Sequence, residues 1–450
     1  MSLAAVPLTP LDPHGRDHHG EGARLRAQGA VVAVELPGGV AAWLVTRQET
    51  GRQVLADDRF TKDPARWGAW QRGDVPADWP LAAMLTLRNM TNVSGADHRR
   101  LRAPLARAFT ARRVRALEPR VAALTGELLD ALARLPARAA GEPVDLRAHF
   151  AHPLPIRVIC ELFGVPGHRV PRVRELCAGL FDSTATPEEA VATHTALRQE
   201  LAELIEERRT HPGDDLTTPL VEAGDETPAA LAAPEISEGP ETHPAPGAAA
   251  TPAAPRPANT PAPPRLSAPE LVDTLMLMIV AGHETTVSLL VNAVRALLTH
   301  PAQLELLRRG QQPWSAAVEE TLRWDPPVAN LPFRYARSDL ELCGRAVCEG
   351  EPVLLGFTAF GRDAEQHGPD ADVFDLTSDT ARGHITFGYG IHHCLGAPLA
   401  RLEAAVALPA LFARFPGLSL AQGDPVPLSS LIFNSLSRLP VVLEGARPHR

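Results

Sequence analysis

The sequence predicts a mainly α-helical fold with small β-sheets, organised around one long apolar helix and one glycine-flanked cysteine loop. Three observations carry this. From Asp97 to about Leu135 the chain is dense in alanine, leucine and arginine, all strong helix formers. From Leu271 to His300 it is apolar nearly all round, as a helix crossing a core must be. The strand-like pieces are short and fall within 31–60 and 331–356.

Taken in order, residues 1–29 read as an N-terminal tail whose prolines, histidines and acids do not resemble a secretory leader. Residues 31–46 alternate around Pro37-Gly38-Gly39, a hairpin turn. A helix through 51–58 follows. Residues 64–92, with Trp67, Trp70 and Trp79, form a long packed loop. Helices are expected from 97 to 135 and over 154–163, 168–180 and 187–208. Residues 223–266 hold eleven prolines and almost no large apolar side chains, so they cannot bury enough surface to offset their ordering entropy. They read as a flexible insertion in a single domain spanning 30–450, with a domain linker as the rival. Order returns at Ser267, where Ser267 and Glu270 can close a capping box. The apolar run Leu275 to Gly282 is too short to cross a bilayer. A helix is expected near Trp314–Trp324, and a last one from behind Cys394 to about Phe412.

The 450 residues are 45% hydrophobic, which permits a large core, and the net charge of -9 argues against a nucleic-acid binder. Five cysteines at irregular spacing do not form a disulfide framework. Cys343 and Cys348 could start a metal hairpin, but no second pair completes it. The protein is expected to be soluble and cytoplasmic, with no membrane partner.

Chemistry concentrates in three places. Around Phe387-Gly388-Tyr389-Gly390-Ile391-His392-His393-Cys394-Leu395-Gly396, two glycines permit a tight turn, and a lone cysteine then precedes a helix N-terminus that favours a thiolate. Such a thiolate suits an axial iron ligand, although a buried structural cysteine would fit the spacing alone. In Ala281-Gly282-His283-Glu284-Thr285-Thr286, an acid and two hydroxyls interrupt an apolar helix, which is costly unless each has a partner. Threonines bonding back to carbonyls would open the helix into a groove, with hydroxyl and carboxyl side by side on a proton path. A polar contact between helices is the plainer alternative. Glu320 and Arg323 share one helix face, and without context they read as a surface pair.

Together these motifs resemble the cytochrome P450 family, in its bacterial, actinobacterial soluble class. The resemblance covers about residues 30–445 apart from the insertion. It rests on Phe387, Gly388, Gly390, His392, Cys394 and Gly396, on the Ala281–Thr286 segment, and on Glu320 and Arg323. It implies the family fold, with haem b (iron protoporphyrin IX) between the long central helix and the cysteine loop. Cys394 would ligate the iron, Phe387 would pack over the ligand loop and Gly396 would belong to the haem-binding signature. His98, Arg102, Arg334 and His392 would hold the haem carboxylates. Thr285 would hydrogen-bond dioxygen and Glu284 would support proton delivery. Glu320 and Arg323 would hold the core near the haem, with a third partner from Arg382 or His384. The departure is in Thr91–His98, which lacks the prolines many bacterial members carry there.

The reaction so implied is insertion of one atom of O2 into an apolar organic small molecule, a large secondary metabolite. Electrons would come from a ferredoxin or similar acidic donor fed from NAD(P)H, docking near Arg99, Arg100, Arg107, Arg112 and Arg113. A macrolide or other polyketide is the first expectation for the substrate, a steroid the second and aromatic coupling the third, with Asn330 as a polar handle in an apolar pocket. A haem-binding sensor without turnover is the non-enzymatic alternative, and a Pro-rich interaction module at 223–266 a further one.

Overall fold

Strand alternation at the N-terminus produces the hairpin read from the sequence. Val31–Leu36 and Val40–Val45 pair antiparallel, and Gly38 (φ 78°) and Gly39 (φ 74°) supply the left-handed turn that joins them. The computed structural model describes residues 3–76, 79, 81–82, 85, 87–135, 142–180, 186–225 and 266–443. The hairpin lies within a six-stranded sheet. In spatial order the strands are Thr9–Pro10, Val31–Leu36, Val40–Val45, Pro352–Gly356, Asn330–Ala336 and Phe60–Thr61. The register between Asn330–Ala336 and Pro352–Gly356 shifts between Leu331 and Arg334. Pro332 has no N–H to give the ladder, so the bulge falls where pairing is already interrupted, and it re-aims Arg334.

The stretch expected as an N-terminal tail carries the strand Thr9–Pro10 and the helix His18–Gln28, and it buries Leu11 and Leu25 against the sheet. Trp67 and Trp79 pack edge to face at 5.7 Å over Phe333 and Tyr335, which gives the 64–92 loop its own core.

Helices fill the other side. The central helix, Ala268–Thr299, starts at the expected capping box, with Ser267 accepting from the Glu270 N–H and Glu270 from the Ser267 N–H. It packs against Pro153–Leu162, Pro187–Thr210, Trp314–Trp324 and Ala397–Arg414. At 32 residues it is long and apolar enough to cross a membrane, but 72% of its most apolar window is buried within the protein. The expected helix over 97–135 is three helices, Gly95–Ala108, Ala111–Ala116 and Glu118–Ala133. The Thr110 side chain caps the second, and Pro119 at the start of the third lacks the N–H needed to continue the one before. Of the Pro-rich insertion, only its edges lie within the described residues.

Candidate active site

The cysteine loop is built as its glycines require. Gly388 (φ 79°) and Gly390 (φ 69°) are left-handed, and a Cβ on Gly390 would sit 3.1 Å from the Leu55 carbonyl. The Cys394 N–H donates to the Phe387 carbonyl at 2.8 Å, closing the loop on itself. The helix Ala397–Arg414 starts directly behind. Cys394 is exposed at its surface, yet the protein atoms packed around its sulfur push the thiol up from its ordinary value, while the N–H groups of Gly396 and Ala397, with Arg102 and Arg401, pull it down. A Cβ on Gly396 would meet Cys394 Sγ at an ordinary contact distance of 3.9 Å, so the loop has room for a side chain here. Arg401 stacks over the Phe387 ring at 4.5 Å and screens that side of the loop.

The four residues expected to hold carboxylates come together. The His98 and His392 rings lie 4.1 Å apart. His98 is buried with neither ring nitrogen bonded, and His392 Nε2 is also without a partner. Arg334 is buried, and its guanidinium has no acceptor among the described residues. Arg102 reaches the His393 carbonyl at 2.7 Å. Burial, then Arg102 and Arg334, hold His98 down at about 4; burial, Arg334 and His98 hold His392 down at about 2. Burial alone brings Arg334 to about 10.

Lys62 joins this group, which the sequence reading did not foresee. Its ammonium is buried, donates to the Pro332 carbonyl at 3.0 Å, and is pushed well below the ordinary lysine value by burial and by Arg334. That carbonyl lies within the register shift between Leu331 and Arg334. Buried basic side chains crowded together without an acid are unstable unless an anion joins them. A haem, with two carboxylates and an iron that takes a thiolate, fits these donors on both counts.

The oxygen-side segment differs from expectation. Thr285 donates to the Ala281 carbonyl at 2.7 Å and Thr286 to that of Gly282 at 3.2 Å, yet the helix runs unbroken through them. Ala281 is exposed and Thr285 half-buried. The Glu284 carboxylate is not beside the Thr285 hydroxyl. It is buried on another flank, 2.5 Å from Arg147, a partner that no local pattern marked. Burial pushes Glu284 up, and Arg147 opposes the shift. Gly282 serves a close helix approach, with its Cβ position 3.2 Å from Ile159.

Glu320 and Arg323 are fully buried, not a surface pair. They bond twice, at 2.6 and 2.8 Å, and Arg323 also donates to the carbonyls of Gly361, Ala371 and Val373. The expected third partner is corrected. Neither Arg382 nor His384 joins them; His384 bonds Glu319 at 3.2 Å, together with Arg401 at 2.6 and 2.9 Å. Burial pushes Glu319 up, but the Arg401 and His384 bonds outweigh it and hold the carboxyl at about 2. Asn330 is no free handle, since its amide donates to the Leu431 carbonyl at 3.0 Å. Arg100 is bound by Glu270 at 2.7 Å, whereas Arg99, Arg112 and Arg113 are exposed.

Comparison with known proteins agrees with this architecture. The family profile described as Cytochrome P450 matches residues 314–438. The 2-hydroxy-5-methyl-1-naphthoate 7-hydroxylase of Streptomyces carzinostaticus is 38% identical over 440 residues, covering 97% of each chain. The 6-deoxyerythronolide B hydroxylase of Saccharopolyspora erythraea is 36% identical over 457 residues, covering 98% of this chain and 100% of that one. Among solved structures, testerone-bound CYP154C4 from Streptomyces sp. ATCC 11861 superposes with a TM-score of 0.86 at 42% identity, covering 97% and 98% of the two chains. Fold and site therefore define a haem-binding oxidoreductase. The chain belongs to the cytochrome P450 family, whose bacterial members it matches over nearly its whole length, and it is a haem-thiolate monooxygenase.

Proposed function

We propose that this chain inserts one atom of O2 into a large, mostly apolar secondary metabolite, a macrolide or other polyketide in the first instance. The observation that carries the site assignment is the convergence of His98, His392, Arg102 and Arg334 without an acid among the described residues, beside a cysteine loop whose N–H groups face sulfur. Haem b, held through Cys394, supplies the oxygen activation when bound.

The chain's own residues do the rest. The basic cluster anchors the two carboxylates. The Gly396 and Ala397 N–H groups temper the sulfur charge, and Arg401 on Phe387 shields the loop from water. The Thr285 hydroxyl, resting on the Ala281 carbonyl, holds a proton at Oγ1 on the exposed face of the central helix. Glu284 takes up protons behind it. Exposed Arg99, Arg112 and Arg113 form a docking face for an acidic ferredoxin fed from NAD(P)H. The site is cytoplasmic in this reading, and the Pro-rich insertion interrupts a single catalytic domain.

The polyketide assignment draws support from the 6-deoxyerythronolide B hydroxylase relative. A steroid substrate is the second reading, favoured by the 42% identity to the testerone-bound structure. The test is optical titration of the ferric protein with macrolactones, steroids and hydroxynaphthoates. A low-to-high-spin shift with macrolactones supports the first reading. A shift with steroids alone replaces it with the second.

A further inference from the structure

Behind the central helix, on another flank from the half-buried Thr285, lies a polar cluster around Glu284 whose two histidines none of the expected roles uses. His283 is completely buried and its ring nitrogens make no hydrogen bond of normal geometry. The His152 ring meets it edge to face at 4.4 Å. His152 is half-buried, immediately before the helix Pro153–Leu162, and so reaches toward solvent. Ligand atoms of His152, His283 and Glu284 all lie within 4.8 Å of one another. One water molecule spans that gap with two hydrogen bonds of about 2.8 Å each. Arg147, from the short π-helix Arg147–Ala151, holds Glu284 and has one guanidinium nitrogen, Nη1, with no partner among the described residues.

Three donors of this kind could also hold a divalent cation. The guanidinium already on the carboxylate argues against it, because a cation there would face Arg147 at close range.

We propose that His152 and His283 form the solvent-side limb of a proton relay to Glu284. The inference rests on the monooxygenase reading, which consumes two protons and two electrons for each O2. A proton from solvent enters on one His152 nitrogen as the other nitrogen gives one up. His283 repeats the exchange, so no buried imidazolium accumulates. The proton reaches a Glu284 carboxylate oxygen and neutralises it, while Arg147 keeps its charge and remains the donor beside it.

The groups facing the relay are Arg147 from the π-helix, Arg174 and Cys177 from the helix Val170–Gly179, and no acid other than Glu284 among the described residues. Burial, then His152 and Arg147, hold the His283 imidazolium well below its ordinary value, the His152 backbone opposing, and a neutral ring is the form that passes protons in both directions.

The test uses the holoenzyme with a substrate that gives the spin shift, in His152→Asn, His152→Phe and, as reference, Glu284→Gln. Both His152 variants should lower coupled turnover about tenfold and Glu284→Gln about 10²-fold. The His152 variants should also raise the solvent isotope effect and recover as pH falls. Without turnover, the His152 titration in ¹⁵N-histidine spectra of the ferrous carbon-monoxide complex should shift in Glu284→Gln. Wild-type coupling, isotope effect and pH profile in both His152 variants would overturn the relay. If Glu284→Gln were then still impaired, the site reading would stand; if it too were normal, Glu284 would lose its proton role as well.

Discussion

Replacing Arg323 with methionine removes the most heavily bonded side chain near the site. In the native protein Arg323 makes two bonds to Glu320 and one each to the carbonyls of Gly361, Ala371 and Val373. Breaking a buried ion pair by deleting one partner costs about 3–5 kcal/mol, because the remaining charge stays buried. Glu320 would keep only the Asp375 N–H, at 2.7 Å. Three carbonyls losing a charged donor add about 1 kcal/mol each at the low end of the usual range. The sum, about 6–8 kcal/mol, is comparable to the whole stability of a typical domain, about 5–15 kcal/mol. Arg323→Met should therefore yield little folded, haem-retaining protein. The double variant Glu320→Met/Arg323→Met should be less damaged than Arg323→Met alone, since no charge is stranded. Urea unfolding followed by circular dichroism at fixed haem loading gives both numbers, the fixed loading being necessary because bound haem adds to apparent stability. An Arg323→Met protein within about 1 kcal/mol of wild type would refute the reasoning, and so would a double variant worse than the single one.

Three other outcomes are expected. Arg334→Leu removes a buried cation from the anion cluster, and a lost charge-assisted bond should speed haem transfer to an acceptor globin by about 10- to 100-fold. Gly388→Ala should destabilise the protein by about 1–2 kcal/mol in thermal unfolding through its left-handed φ alone. Gly390→Ala should cost more, because its Cβ also meets the Leu55 carbonyl at 3.1 Å. For Glu319 the folded carboxyl is depressed to about 2 from an ordinary 4.5, so its contribution is complete above 4.5 and is lost as pH falls from there toward 2. Glu319→Gln should thus be less stable at neutral pH and show a flatter loss of stability over that window in acid titration.

Local signals were legible and long-range pairings were not. The capping box at Ser267, the Pro37-Gly38-Gly39 hairpin and the Cys394 loop depend on residues within a few positions of each other, and each forms as read. The three-way break of 97–135 was hidden because helix formers dominate it, while the Thr110 cap and Pro119 are single residues. Arg147 lies 137 positions from Glu284, and His384 lies 65 from Glu319; no periodicity connects them. Glu319 and Glu320 are adjacent, so sequence could not decide which acid His384 would meet. Lys62 lies 270 positions from Pro332, whose carbonyl it bonds, next to a register shift that no local pattern marked.

The central claim is that Cys394, in this loop, is the thiolate ligand of a haem anchored by His98, Arg102, Arg334 and His392. The direct measurement is the ferrous carbon-monoxide difference spectrum of haem-replete wild type beside Cys394→Ser. The account predicts a thiolate-type band in wild type and its loss in the variant. A haem-replete wild-type protein without that band, or a variant that keeps it, would contradict the account.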